Sequence, residues 1–153
     1  MRLSLVGCGY VGQAIAKQLH GRPDLELSVT TTSEERRDEL SSIADQVLVI
    51  SANDADGLLE ALEGRDAAIF CLGPKGNRQV DAAGYRHTFN DSFRCLEQLL
   101  PQLSTLQQII YTGSCSIYGD ANGDWINEST AATARDEHGA VLLEAERQLL
   151  AIA

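Results

Sequence analysis

Two kinds of segment are missing from this chain of 153 residues: an apolar run long enough to cross a bilayer, and a cluster of metal-binding side chains. No apolar stretch approaches the roughly 18 residues of a membrane span, which excludes a spanning helix. The chain enters an apolar strand at once, without a basic segment and apolar core ahead of it, which predicts no secretory leader. Cys8, Cys71, Cys95 and Cys115 lie far apart, with no C-x-x-C pair and no histidine clustered beside them. That pattern is neither a zinc site nor a disulfide framework, and it predicts buried, reduced thiols in a cytoplasmic protein that holds no metal. Positive charge is scarce as well: 12 Lys and Arg stand against 22 Asp and Glu, a net charge of −10. Nucleic acid and anionic membrane surfaces need a basic face, so both are excluded as partners. A dinucleotide is not excluded, because backbone amides can hold it locally. What remains, 44% apolar and 22% charged residues, is the composition of an ordinary globular protein. A chain of this length can bury a core of its own, and a single domain over residues 1–153 is expected.

The strongest local signal is the opening stretch, MRLSLVGCGYVGQAIA. An apolar run, Leu3 to Val6, leads into Gly7-Cys8-Gly9-Tyr10-Val11-Gly12, and a helix-compatible segment follows. Strand, G-x-G-x-x-G, then helix is the context in which this motif points to a dinucleotide. Gly7 is expected to allow the sharp turn off the strand, Gly9 the close approach of a pyrophosphate, and Gly12 tight packing of helix on strand. The first-turn amides at Tyr10 and Val11 would face the phosphates. The alternative is a plain glycine-rich turn between strand and helix.

Further strands are predicted at Leu25–Thr31, Gln46–Ile50, Ala67–Leu72 and Gln107–Thr112. Helices are predicted over Val11–Leu19, from Thr32 or Ser33 to about Ala44, and over Asp54–Leu62. A helix of some twenty residues is expected from Asp81 or Tyr85 to Leu100, and a last one from about Arg135 to Ile152. Residues Gly73 to Asn77 and Gly113 to Glu128 read as loops. Five strands alternating with helices give an α/β fold, a doubly wound parallel sheet of at least five strands in three α/β/α layers.

An NAD site places a carboxylate about twenty residues past the glycines, at the end of the second strand, for the ribose 2′-hydroxyl. Here that place holds Thr30, Thr31, Thr32 and Ser33, followed by Arg36 and Arg37. Hydroxyls and a guanidinium suit a 2′-phosphate, so NADP is expected over NAD. The competing reading makes the arginines a solvated face balancing Glu34, Glu35, Asp38 and Glu39.

From Tyr111 the sequence runs YTGSCSIYGD, then Gly123, Trp125 and Asn127-Glu128-Ser129-Thr130. With the N-terminal glycines, this resembles the extended short-chain dehydrogenase/reductase family, the NAD(P)-dependent epimerases, dehydratases and reductases of nucleotide sugars. The resemblance covers the whole chain and implies a Rossmann-type core. It implies that Ser114 is the catalytic serine, bonding the substrate oxygen at the reacting carbon, and that Asn90 supports a proton relay. Asn90 can equally be a polar residue on an amphipathic helix. Thr112 and the Leu72-Gly73-Pro74 turn fall where the family lines the nicotinamide. The helices from Tyr85 and from Ala134 match those that pair in the family's dimers, which implies a possible homodimer.

Three departures qualify the resemblance. Val6 stands where the family's first glycine is usual. The family's catalytic Tyr and Lys, four residues apart on the last helix, are here His138 and Leu142, as in an atypical subgroup of the family. His138 reads as a surface histidine in a first helical turn, with a proton shuttle as its alternative role. The family's carboxyl-terminal substrate domain has no counterpart before Ala153, so a fragment or a minimal domain is expected. The functional expectation is an NAD(P)-binding oxidoreductase or epimerase/dehydratase-like protein acting on a nucleotide-sugar or similar small molecule. The alternative is a non-catalytic NADPH-binding sensor.

Overall fold

The computed structural model describes residues 1–74 and 80–152. Among them five strands form one parallel sheet: β1 (Arg2–Val6), β2 (Glu26–Thr31), β3 (Gln46–Val49), β4 (Ala67–Phe70) and β5 (Gln108–Tyr111), in the order β3-β2-β1-β4-β5. The register pairs Leu5 with Val29 on one side of β1 and with Ile69 on the other. Six α-helices connect and flank these strands among the described residues: α1 (Tyr10–Leu19), α2 (Arg37–Ser41), α3 (Ala55–Leu62), α4 (Ala82–Thr88), α5 (Asn90–Leu99) and α6 (Glu137–Ala151).

Alternation along the strands separates two cores. Leu3, Leu5, Leu27, Val29 and Val47 point to one face, where Ala16 of α1 and Leu40 of α2 cover them. Val6, Ala68 and Phe70 point to the other and meet Leu58 and Leu62 of α3, Phe93 and Leu96 of α5, and Leu142 and Ala145 of α6. This is the expected three-layer, doubly wound sheet. At the amino ends of the strands Arg65, 7% exposed, is held at 3.0 Å by Glu26 and at 2.5 Å by Gln46. The carboxyl ends of the strands stay open and carry the cleft described below.

Two expected helices differ. The segment after β2 does not form one helix to Ala44; it makes a 3-10 turn at Glu34–Arg36 and only five residues of α-helix. Ser33 sits at the cap position without capping, because its hydroxyl donates to Glu35 at 2.6 Å. The long helix ahead of β5 divides at Phe89 into α4 and α5. Thr88 and Ser92 flank the break, and their hydroxyls donate to the carbonyls of Gly84 (2.8 Å) and Thr88 (2.7 Å). Such bonds to the carbonyl four residues back bend helices. In the segment after β5, a 3-10 turn at Cys115–Tyr118 interrupts the expected loop. The expected loop after β4 lies outside the described residues from Lys75 to Asn77.

Candidate dinucleotide cleft

Two of the three glycines sit where a side chain would not fit, and the third faces open space. Gly7 has φ +91°, and a Cβ there would stand 2.6 Å from the carbonyl oxygen of Cys71 on the neighbouring strand's extension. A Cβ at Gly12 would meet the Gly7 carbonyl oxygen at 2.6 Å and Leu5 at 2.8 Å, so this glycine seats α1 on β1. A Cβ at Gly9 meets nothing within 4 Å. Its outer side is open cleft, the room a pyrophosphate needs above a helix N-terminus. Thr30 pins the turn from β2: its hydroxyl accepts from the Gly7 amide (2.9 Å) and its carbonyl from the Cys8 amide (2.7 Å). Thr30 is therefore committed to the turn.

A cleft of about 1040 Å³ runs across the strand ends from this turn. Gly7, Gly9, Tyr10 and Val11 line its floor; Thr31, Thr32 and Arg36 line one end; Leu72, Gly73, Pro74 and Thr112 line the other. Tyr10 leaves its ring in solvent, 93% exposed, so its part in lining the cleft falls to the backbone. Gly12 and Ser33 are not among the lining residues. Arg36 donates from one terminal nitrogen to the Cys8 carbonyl of the glycine turn at 2.7 Å, and its Nε lies 3.3 Å from Glu39. Two thiols, Cys8 and Cys71, also line the cleft; burial pushes Cys8 up to about 11 and raises Cys71, so both stay protonated and unreactive.

Pro74 is shared with a second chamber of about 390 Å³, lined also by Val80, Tyr85, Ser114, Ser116, His138 and Leu142. Ser114 accepts from the Ser116 amide at 3.3 Å, and the two hydroxyls lie 3.0 Å apart. His138 is not a free surface histidine. It is half-buried, its Nε2 lies 2.8 Å from the Val80 carbonyl, and its ring stands edge-on to Tyr85 at 4.5 Å. A carbonyl only accepts, so Nε2 carries the proton and Nδ1 is the ring atom left to take one. Asn90 lines neither space. It is 3% exposed at the start of α5, with both side-chain polar atoms unpartnered among the described residues. Tyr111 is pushed up to about 12 by burial and by Glu146, which rules its phenol out as an acid or base near neutral pH.

Sequence reasoning missed two groups of lining residues. Ser51 and Asn53 follow β3 directly, and the rule that ligands bind beyond the carboxyl ends of parallel strands could have found them. His87, Thr88 and Ser92 reach the cleft at the α4–α5 bend, and no periodicity signals that. Among the described residues no group of three acidic, His or Cys side chains could hold a metal ion, and no helix is long and apolar enough to cross a membrane.

Several solved structures share the fold. A UDP-Glc/GlcNAc 4-epimerase from Campylobacter jejuni superposes with a TM-score of 0.81 at 16% identity, over 99% of this chain and 48% of its own. A UDP-glucuronic acid 4-epimerase variant from Bacillus cereus, solved with a fluorinated UDP-sugar and NAD, gives 0.83 at 14% identity, over 99% and 52%. A UDP-glucose 4-epimerase from Bifidobacterium longum, solved with NAD+ and UDP, gives 0.80 at 16%, over 99% and 49%. The chain thus spans about half the length of these structures. No curated protein matches the sequence. The NAD(P)H-binding family matches residues 7–147, from the first glycine of the turn to the last helix. By the length of that match and the open glycine turn it begins on, the chain belongs to the NAD(P)H-binding family.

Proposed function

We propose that this chain is the cofactor-binding part of an oxidoreductase or epimerase/dehydratase-like enzyme that uses NADPH ahead of NADH. It acts on a carbonyl or hydroxyl of a nucleotide sugar or a similar small molecule. The observation that carries this reading is the shared wall at Pro74: the chamber of Ser114 and His138 opens beside the end of the cleft away from Arg36. The glycine turn would hold the pyrophosphate of a dinucleotide, Arg36 its 2′-substituted ribose, and Leu72, Gly73, Pro74 and Thr112 its nicotinamide end. The likeness to UDP-sugar 4-epimerases supports the substrate class.

A dinucleotide held there would supply hydride transfer through its nicotinamide ring. Ser114, steadied by Ser116, donates a hydrogen bond to the oxygen on the reacting carbon, where charge develops. His138, held through Nε2 by Val80, exchanges the proton at Nδ1. Leu72, Gly73 and Thr112 line the same end of the cleft and limit water there.

One observation favours the second reading, a sensor that binds NADPH without turnover: Leu142 lines the chamber where the resemblance expects a lysine. Calorimetric titration tests the common claim. The chain should bind NADPH with a micromolar dissociation constant, and Gly9→Trp, whose side chain fills the open side of the turn, should abolish it. Absence of binding by the unaltered chain would remove both readings.

A further inference from the structure

The ribose end of the cleft contains a contact that the preference for NADPH does not need. Arg36 is positioned by two acceptors: the Cys8 carbonyl at 2.7 Å ties it to the glycine turn, and Glu39 takes its Nε at 3.3 Å. Glu39 is fixed in turn by Gln13 of α1, whose side-chain amide donates to its other carboxylate oxygen. These two donors, with Lys17 nearby, hold the carboxyl below its ordinary range, so it is charged at neutral pH. Arg36 lines the cleft and Glu39 does not. The guanidinium therefore presents to the ribose only what Cys8 and Glu39 leave free, with a fixed negative charge directly behind it.

We propose that Glu39 is the residue that sets how strongly this site discriminates between the two dinucleotides, by occupying Arg36 and opposing the charge of a ribose 2′-phosphate. This rests on the NADPH reading above and adds its limit: the discrimination is modest because the reading arginine is partly neutralised. Glu39 is a positioning residue, acting only through Arg36. A 2′-phosphate feels Glu39 as a like charge across one guanidinium, whereas a ribose 2′-hydroxyl carries no charge for it to repel. Removing the carboxylate should therefore help one nucleotide and leave the other almost unchanged. The tether from Arg36 to Cys8 does not involve Glu39, so the turn keeps its shape in such a variant.

The test is a pair of titrations, NADPH and NADH, on the unaltered chain, Glu39→Gln and Glu39→Lys. Glu39 is half exposed, and thermal unfolding checks that both variants fold. Glu39→Gln should tighten NADPH about three- to tenfold, with less than about a twofold change for NADH. Glu39→Lys should tighten NADPH further, and the gain of both should shrink in about 0.5 M salt, where charges are screened within a few ångströms. A purely structural role for Glu39 would move both nucleotides together and would not respond to salt. If both nucleotides bind and their ratio stays within twofold across the three proteins, the role assigned to Glu39 is wrong and the NADPH-binding site stands. If the unaltered chain binds neither, the NADPH reading falls first and takes this one with it.

Discussion

The glycine turn and the Ser114 chamber are built on opposite plans. The turn is made of backbone: a positive-φ glycine against the Cys71 carbonyl, two amides held by Thr30, and a helix pressed onto a strand with no room for a methyl group. The chamber is made of side chains from three separated segments, joined by single hydrogen bonds such as the one from His138 to Val80. Backbone geometry tolerates almost no substitution without refolding, whereas a side-chain site can be altered at little cost to the fold. Stability and function should therefore separate between the two regions, and also within the turn itself.

The largest effects should come from the buried glycines. Gly12→Val forces side-chain atoms into the Gly7 carbonyl and Leu5, and Gly7→Ala adds backbone strain to a clash; each should cost roughly 2–5 kcal/mol in urea unfolding. Gly9→Ala, two or three positions away, meets nothing and should stay within about 1 kcal/mol of the unaltered protein while weakening NADPH binding. Equal losses at Gly9 and Gly12 would erase the distinction between the glycine that packs and the glycine that faces ligand.

The chamber should show the reverse. Ser114→Ala should leave the unfolding midpoint almost unchanged and slow substrate-dependent NADPH oxidation by about 100-fold, the usual cost of one donor to a developing oxyanion. An unchanged rate would remove Ser114 from the mechanism. His138→Gln should lower the rate by a similar factor and flatten its pH profile near neutrality. A profile that keeps its shape would place the proton exchange elsewhere.

The turn could be read from the sequence because its physics is local: three glycines at fixed spacing, one strand before them and one helix after. The strands were legible for the same reason, to within one or two residues at their ends, since near-continuous apolar runs such as QVLV belong to buried parallel strands. The chamber was only half legible. Ser114 lay within a recognisable stretch, but the partners Tyr85 and Val80 come from a segment whose course depends on the bend at Phe89. The hydroxyls of Thr88 and Ser92 flank that break, and in sequence they look like any polar residue on a helix. His138 looked exposed because its position in a first helical turn does not reveal the Val80 carbonyl opposite it.

A smaller effect sharpens the comparison through pH. The Cys8 thiol, pushed up from its ordinary 9 to about 11 by burial, is an acid that the fold keeps neutral. Its contribution to stability is complete below pH 9 and is lost as pH rises through 11. Unfolding free energy should fall over that interval, and Cys8→Ala should flatten the fall.

The pairing of the central strand has a consequence for how the molecule assembles. Arg2 and Asp66, where β1 meets the start of β4, are 64 positions apart along the chain. The chain must close that loop before β1 gains its second neighbour, and such long-range closures slow folding. Gly7 then leans on Thr30 from one side and Cys71 from the other, so the turn takes shape only once β2 and β4 have both arrived. A nucleotide that needs this turn binds the finished sheet and nothing earlier, and mass action converts its binding into added resistance to unfolding. The molecule's hold on its cofactor is in that sense a reading of how completely its centre has folded.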